Sequence, residues 1–218
     1  MTSDELMIEK IADLDASTFQ ELTEDKSLNN NSNTNITKKS ICSKIDNWDK
    51  HYSLYIHNLE VITWVEVFIY IMARFYNPEC MVVYFIIMLI YAHFKDQNYL
   101  YIAKPFIHVI IGLIFTLVLK KIINRQRPTL NEKIKRKFNC RNRETNASFP
   151  SGDSLQSINF SIIMIYYYGL FYFLITVPLV MFARIFYHCH YILDTIGGVI
   201  IGTLLSTSTY YVLRCLKF

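Results

Sequence analysis

From about Leu59 to Leu213 the chain is a nearly continuous series of apolar segments, and their lengths constrain its fold more than any other feature. A stretch of about 17 to 25 apolar residues is long enough to cross a bilayer, and only helices or closed barrels can do so with every backbone group satisfied. The breaks divide the run into about six segments. The first spans roughly His57 to Tyr76 and stops before Asn77-Pro78. The second, shorter, runs from Cys80 to Phe94, and the third from Tyr101 to Lys121. After a long polar loop, Leu155 to Tyr187 is too long for one crossing and slightly short for two, and Gly169 and Pro178 favour two helices joined by a tight turn. The last segment extends from Tyr191 to Leu213. With six crossings both termini share one face of the membrane, and the ends at Lys120, Ser154 and Tyr187 share the other.

The rest of the composition narrows the class. Hydrophobic residues make up 52% of the chain and charged residues 18%, less charge than soluble domains carry, and the many Tyr and Phe against few Gly and Pro exclude a disordered or collagen-like chain. A net charge of +4 is too small to mark a nucleic-acid binder. Residues 1–50 carry an acidic start and the run Asn29 to Asn35, with too little apolar surface to offset the entropy of ordering. They read as a disordered Asn-rich tail ahead of one membrane domain at 51–218. No basic region followed by a short apolar core marks a cleavable leader. The five cysteines lack CxxC spacing and suggest neither a disulfide framework nor a zinc site. No metal or cofactor is implied.

Three polar clusters stand at span ends expected on one side. Lys120 and Arg127, seven apart and followed by Pro128, would share a face of a continued helix and could grip one anion together. Pro150-Ser151-Gly152-Asp153 opens the fourth segment, where free N–H groups at a helix's positive end suit a phosphate oxygen. In the third, His190 and Asp194 are four apart on one helical face, where a carboxylate can hold an imidazole in the tautomer needed for nucleophilic attack. Arg184 lies on another face, so a bend must separate it from His190.

In order and spacing these clusters resemble the three-part signature of the type-2 phosphatidic acid phosphatase superfamily of lipid phosphate phosphatases, K-x6-RP, PSGH and SR-x5-H-x3-D. The resemblance covers roughly residues 57 to 218. It implies an all-α bundle of about six transmembrane helices, of the kind shared with the haloperoxidases, and metal-independent hydrolysis of a lipid phosphate or diphosphate through a phosphohistidine. By position, it makes His190 the nucleophile, Asp194 its orienting partner, and Lys120, Arg127 and Arg184 the phosphate ligands, with Ser151 and Gly152 completing the anion cradle. Two positions depart from the signature. Ala183 replaces a Ser, which should weaken phosphate binding. Asp153 replaces the His that protonates the leaving group. A carboxyl group donates a proton only when its pKa is raised, and three neighbouring cations would lower it. A leaving phosphate hardly needs that proton, so Asp153 biases the expectation toward isoprenoid and other lipid diphosphates, or toward weak catalysis.

Simpler readings cover the remaining polar residues. Lys121, Arg125, Lys133, Lys135, Arg136, Lys137, Arg141 and Arg143 read as interface anchors, and His57, His93 and His108 as structural histidines. His188 competes with His190 as the nucleophile, but it lacks an acidic partner four residues on, so His190 is preferred. Glu60 and Glu66 have no expected catalytic part, and the sequon Asn146-Ala147-Ser148 is expected to be unmodified because a glycan there would crowd the substrate. Competing functions are a relative that binds phospholipid headgroups without catalysis, supported by Asp153, and a phosphotransferase passing the group to a lipid alcohol. Basic residues are balanced between the two sides, so charge leaves orientation undecided. The resemblance implies a multi-pass protein of the endoplasmic reticulum, another endomembrane or the plasma membrane.

Overall fold

The computed structural model describes residues 33–94, 99–129, 134, 136–141 and 145–216, and the chain divides into two units, Met1–Asp46 and Asn47–Phe218. The described residues form helices and no strands. In chain order these are α1 (Asn33–Asn58), α2 (Thr63–Phe75), α3 (Pro78–Phe94), α4 (Leu100–Ile123), α5 (Gly152–Tyr168), a 3-10 turn at Phe171–Ile175, α6 (Thr176–Phe186) and α7 (Ile192–Cys215). The expected disorder before residue 33 and the basic residues Lys133, Lys135 and Arg143 lie outside the described residues. Residues 33–50, expected within the tail, are helical, and Asp49 is fully buried because it pairs with residues far away in sequence.

Helix α5 forms the centre of the larger unit. Every residue from Ser154 to Ser161 is buried, although five of the eight side chains are polar. Several of these polar groups join α5 to its neighbours. Gln156 donates to the Val109 carbonyl at 3.1 Å and Asn159 to that of His108 at 3.0 Å, both on α4. Ser206 on α7 donates to the Asn159 carbonyl at 3.3 Å. Small residues let α7 approach closely. A Cβ at Gly202 would meet Ile158 Cγ2 at 2.5 Å and the Leu155 carbonyl at 2.7 Å, and one at Gly198 would meet the Ser151 carbonyl at 2.6 Å. Apolar surface gives no net drive between helices inside a bilayer, so this close packing and the buried hydrogen bonds are what join them. On the other flank Tyr76, Phe85, Phe160, Ile163, Met164 and Val180 build a second contact layer.

The expected break between two helices in 155–187 occurs at Gly169, whose left-handed φ of +69° ends α5. Pro178 does not mark the break. It lies in the first turn of α6, where its missing N–H costs no helical bond.

The expected count of six crossings does not match the described residues. Two helices, α4 from Ile102 and α7, are long and apolar enough to cross a membrane alone, and a third crossing appears if the bent pair α2 and α3 is counted as one. The pair turns by 75° at its junction, and α2 is only 13 residues, about 20 Å. Helix α2 begins beside the end of α6, where the Tyr187 hydroxyl donates to the Glu66 carbonyl at 3.3 Å. Helix α3 finishes beside the start of α4, with Phe85 against Phe106 and His93 3.2 Å from the Tyr99 hydroxyl. Within the bundle, residue 63 starts at the end where α4 and α6 finish and α5 and α7 begin, while Cys215 finishes at the other end. The expected count of six crossings is not confirmed by the described residues.

Candidate functional site

Four helix termini meet at that end of the bundle, and each brings one of the expected residues. Helix α4 stops at Ile123 because Asn124 takes a left-handed φ of +46°. Lys120 and Arg127 are therefore not on one continued helix, as their spacing suggested. They converge through the following loop, both donating to the Asn146 amide oxygen, at 3.3 Å from Lys120 and 2.5 Å from Arg127. Lys120 also donates to the Ala147 carbonyl at 2.7 Å, and Arg127 to the Asn146 carbonyl at 2.6 Å and the Cys189 carbonyl at 2.8 Å. Four backbone and amide oxygens thus hold these two cations where anionic oxygens would suit them equally.

Ser151 caps α5 and is fully buried, its hydroxyl 2.9 Å from that of Ser154. Its backbone N–H donates to the Asp194 carbonyl at 3.0 Å and so joins the start of α5 to the start of α7. Gly152 opens α5 against Thr116. Asp153, in the first turn, approaches Arg184 with Oδ2 3.1 Å from Nε. Arg184 is 2% exposed and also donates to the Ala73 carbonyl at 3.3 Å.

The bend expected between Arg184 and His190 is the turn from Tyr187 to Tyr191, where His188 has a φ of +53°. His190 lies in this turn, just before α7, rather than on its face. Its Nε2 is 3.4 Å from Arg127 Nη1, and its Nδ1 is 3.7 Å from Asp194 Oδ2. The second distance is longer than a hydrogen bond, and Nδ1 has no other partner in the site. Burial pushes the imidazole down to about 3, with Arg184, Arg127 and Lys120 acting in the same direction and the Asp194 carboxylate opposing them. A neutral ring with an available lone pair is the state a nucleophile requires.

Asp194 is held from several directions. Its Oδ2 accepts from the Tyr191 N–H at 2.9 Å and from the Ser148 hydroxyl, and its Oδ1 lies 2.6 Å from Arg125 Nη1. The other end of Arg125 meets Asp49 Oδ2 at 2.7 Å, and its guanidinium covers the Tyr191 ring. Burial opposes the charge of Arg125, but the two carboxylates outweigh it and raise its pKa. Asp49 and Ser53, one turn apart on α1, then accept the Leu193 and Ile192 N–H groups at 2.9 Å each and cap α7 from a distant segment.

The sequence reading missed Asp49, Ser53, Asn146, Ser148 and the buried side of Arg125. Arg136 was also misread as an interface anchor. It donates to the Leu59 carbonyl at 2.9 Å and to the His57 carbonyl, with its guanidinium over Phe186. Glu66 has a structural part too, accepting from the Lys137 N–H at 2.8 Å and so holding the loop to α2. Among the described residues no group of three or more His, Cys, Asp and Glu side chains is placed to hold a metal ion.

The sequence matches the PAP2 superfamily over residues 101–216, more than half of the chain and all three clusters. The chain belongs to that superfamily. The PAP2 fold agrees as well. The structure is similar to the first transmembrane PAP2 type phosphatidylglycerolphosphate phosphatase from Bacillus subtilis, with a TM-score of 0.64 and 15% identity over 78% of this chain and 87% of that one. It is also similar to LpxE from Aquifex aeolicus, with a TM-score of 0.59 and 19% identity over 74% of this chain and 93% of that one. No curated protein matches the sequence. The resemblance carried by the motifs is thus borne out at the level of the family.

Proposed function

We propose that this PAP2 protein is an integral membrane lipid phosphatase that works through a phosphohistidine on His190. The observation carrying the reading is the convergence of Lys120, Arg127 and Arg184 around a buried neutral histidine backed by a carboxylate. The two similar structures, a PAP2 type phosphatidylglycerolphosphate phosphatase and LpxE, accord with it.

In the proposed reaction the phosphate displaces Asn146 and Ala147 from Lys120 and Arg127. His190 Nε2 attacks phosphorus in line, an N–P bond forms and the P–O bond to the leaving group breaks. Asp194 stabilises the ring as it gains positive charge, while the three cations meet the charge on the equatorial oxygens. Water then attacks the phosphohistidine, releases phosphate and restores the ring.

The leaving oxygen decides the substrate. Asp153 is paired with Arg184, Oδ2 to Nε at 3.1 Å, and is given no part in protonating the leaving group. An alkoxide leaving group needs that proton and a leaving phosphate barely does, so lipid diphosphates such as isoprenoid diphosphates suit the site best. The same ion pair favours one second reading, a headgroup binder without turnover, because Asp153 occupies a cation that catalysis needs.

Phosphate release by detergent-purified protein, with a chelator and a His190→Ala control, tests the proposal on a phosphatidic acid and an isoprenoid diphosphate. Release from the diphosphate alone, lost in the control, supports the reading in full. Release from both removes the role given to Asp153. Release from neither, with lipid binding retained, establishes the binder.

A further inference from the structure

Helix α1 is built with its polarity reversed. The face it turns to the protein is polar, since Asp49, Ser53 and His57 are buried at four-residue spacing against the start of α7 and the turn at His188. An apolar, aromatic stripe points outward. Trp48 is 48% exposed and Tyr55 51% exposed, with the Tyr52 ring between them, tilted by 43° and 5.0 Å from that of Trp48. A helix in water would gain nothing from this arrangement.

The position of α1 indicates what covers the stripe. Its polar face bonds to the first two N–H groups of α7, an apolar helix long enough to cross a bilayer, so α1 sits at the level where that crossing begins. Trp64, 81% exposed in the first turn of α2, lies at the same end of the bundle. The protein's two tryptophans thus fall on one level, in the residue type that gathers at a membrane–water boundary.

We infer that α1 lies in the plane of the membrane interface, with Trp48, Tyr52 and Tyr55 inserted at the boundary between headgroups and acyl chains and Asp49, Ser53 and His57 turned to the site. The partner is the lipid surface itself. This rests on the membrane reading above, but not on catalysis.

The two tryptophans provide the test. Trp48→Phe and Trp64→Phe each leave a single reporter, read in nanodiscs made with lipids brominated at shallow or deep acyl positions, with aqueous iodide as the opposing quencher. The expected result is that Trp48 loses fluorescence to shallow bromines to an extent comparable with Trp64 and is protected from iodide. Quenching of Trp64 but not Trp48 by bromine, with Trp48 open to iodide, overturns the inference and leaves the membrane reading intact. Shielding of Trp48 from both quenchers places protein on the stripe and also overturns it. If neither tryptophan meets bromine, the membrane reading itself fails.

Discussion

Arg125 lies 2.6 Å from Asp194 through one guanidinium nitrogen, and through the other it reaches Asp49, 2.7 Å away on α1. The carboxylate behind His190 is therefore fixed from two directions, by an arginine that is 22% exposed and by an aspartate with no exposure at all. Asp49→Asn takes one of two carboxylates from Arg125, while its amide oxygen can still accept from the Leu193 N–H, so Asp194 gains freedom to turn away from His190. Supporting partners of this kind are worth roughly 10- to 100-fold in activity. We expect Asp49→Asn to lower kcat by that factor with little change in KM, because no substrate atom is touched. A matching rise in KM would show that Asp49 shapes the anion site directly.

This relationship also marks where reading the sequence stopped. Lys120, Arg127, Arg184, His190 and Asp194 were legible because each belongs to a short cluster with fixed spacing, and spacing survives without coordinates. Asp49 and Arg125 have no such pattern. Asp49 is 145 positions from Asp194 within a polar stretch that looked like a tail, and an arginine after an apolar segment usually means an anchor. Their pairing exists only because the bundle brings α1 to the start of α7. The expected span count is not confirmed for a related reason. Length and hydropathy locate the apolar runs His57 to Tyr76 and Cys80 to Phe94 but carry no information about the 75° bend between α2 and α3.

Asp153 and Arg184 form a contact that can be separated from the nucleophile. Asp153→Asn removes a negative charge 3.1 Å from a cation that is 2% exposed, while keeping the side chain's shape. A unit charge at about 5 Å in an effective dielectric near 20 is worth about 3 kcal/mol, so orthovanadate or phosphate should inhibit the variant at concentrations at least about tenfold lower. Turnover of a diphosphate lipid should change little, since no proton is supplied by Asp153. Asp153→His should add hydrolysis of phosphate monoesters. If inhibition by orthovanadate is unchanged in Asp153→Asn, the carboxylate does not compete for Arg184.

If the bent pair α2 and α3 makes one traverse, residues before Thr63 and His190 share one side of the membrane and Cys215 lies on the other. A protein in which Cys42 and Cys80 are replaced by Ser, carrying Lys50→Cys, tests this with a membrane-impermeant maleimide on sealed, uniformly oriented vesicles. Cys140 and Cys189 are buried and should stay silent. From a given side the reagent should label either position 50 or Cys215, never both before the membrane is opened. Labelling of both from one side would restore the six-crossing arrangement.

Three histidines around the site respond to acid in the same direction. Burial pushes His190 down to about 3 and His188 to about 4, the latter also opposed by His57 and Arg141. His57 is lowered as well, first by its burial and then by the charge of Arg136, while its bond to the Phe186 carbonyl acts the other way. An unfolded chain titrates its histidines near 6.5, so below that pH it binds protons that the folded protein refuses. The stability these neutral rings contribute is whole above pH 6.5 and is lost as pH falls toward 4 and then 3, each proton steepening the fall by up to about 1.4 kcal/mol per pH unit. The thermal midpoint in detergent should accordingly drop between pH 7 and 4.5. His188→Gln removes one of the three protons from the balance, so its midpoint should fall less steeply over that range, whatever its value at pH 7. Equal slopes for the two proteins would mean that His188 is protonated in the folded state as readily as in the unfolded one, and that its stacking on His57 at 4.3 Å tolerates the charge.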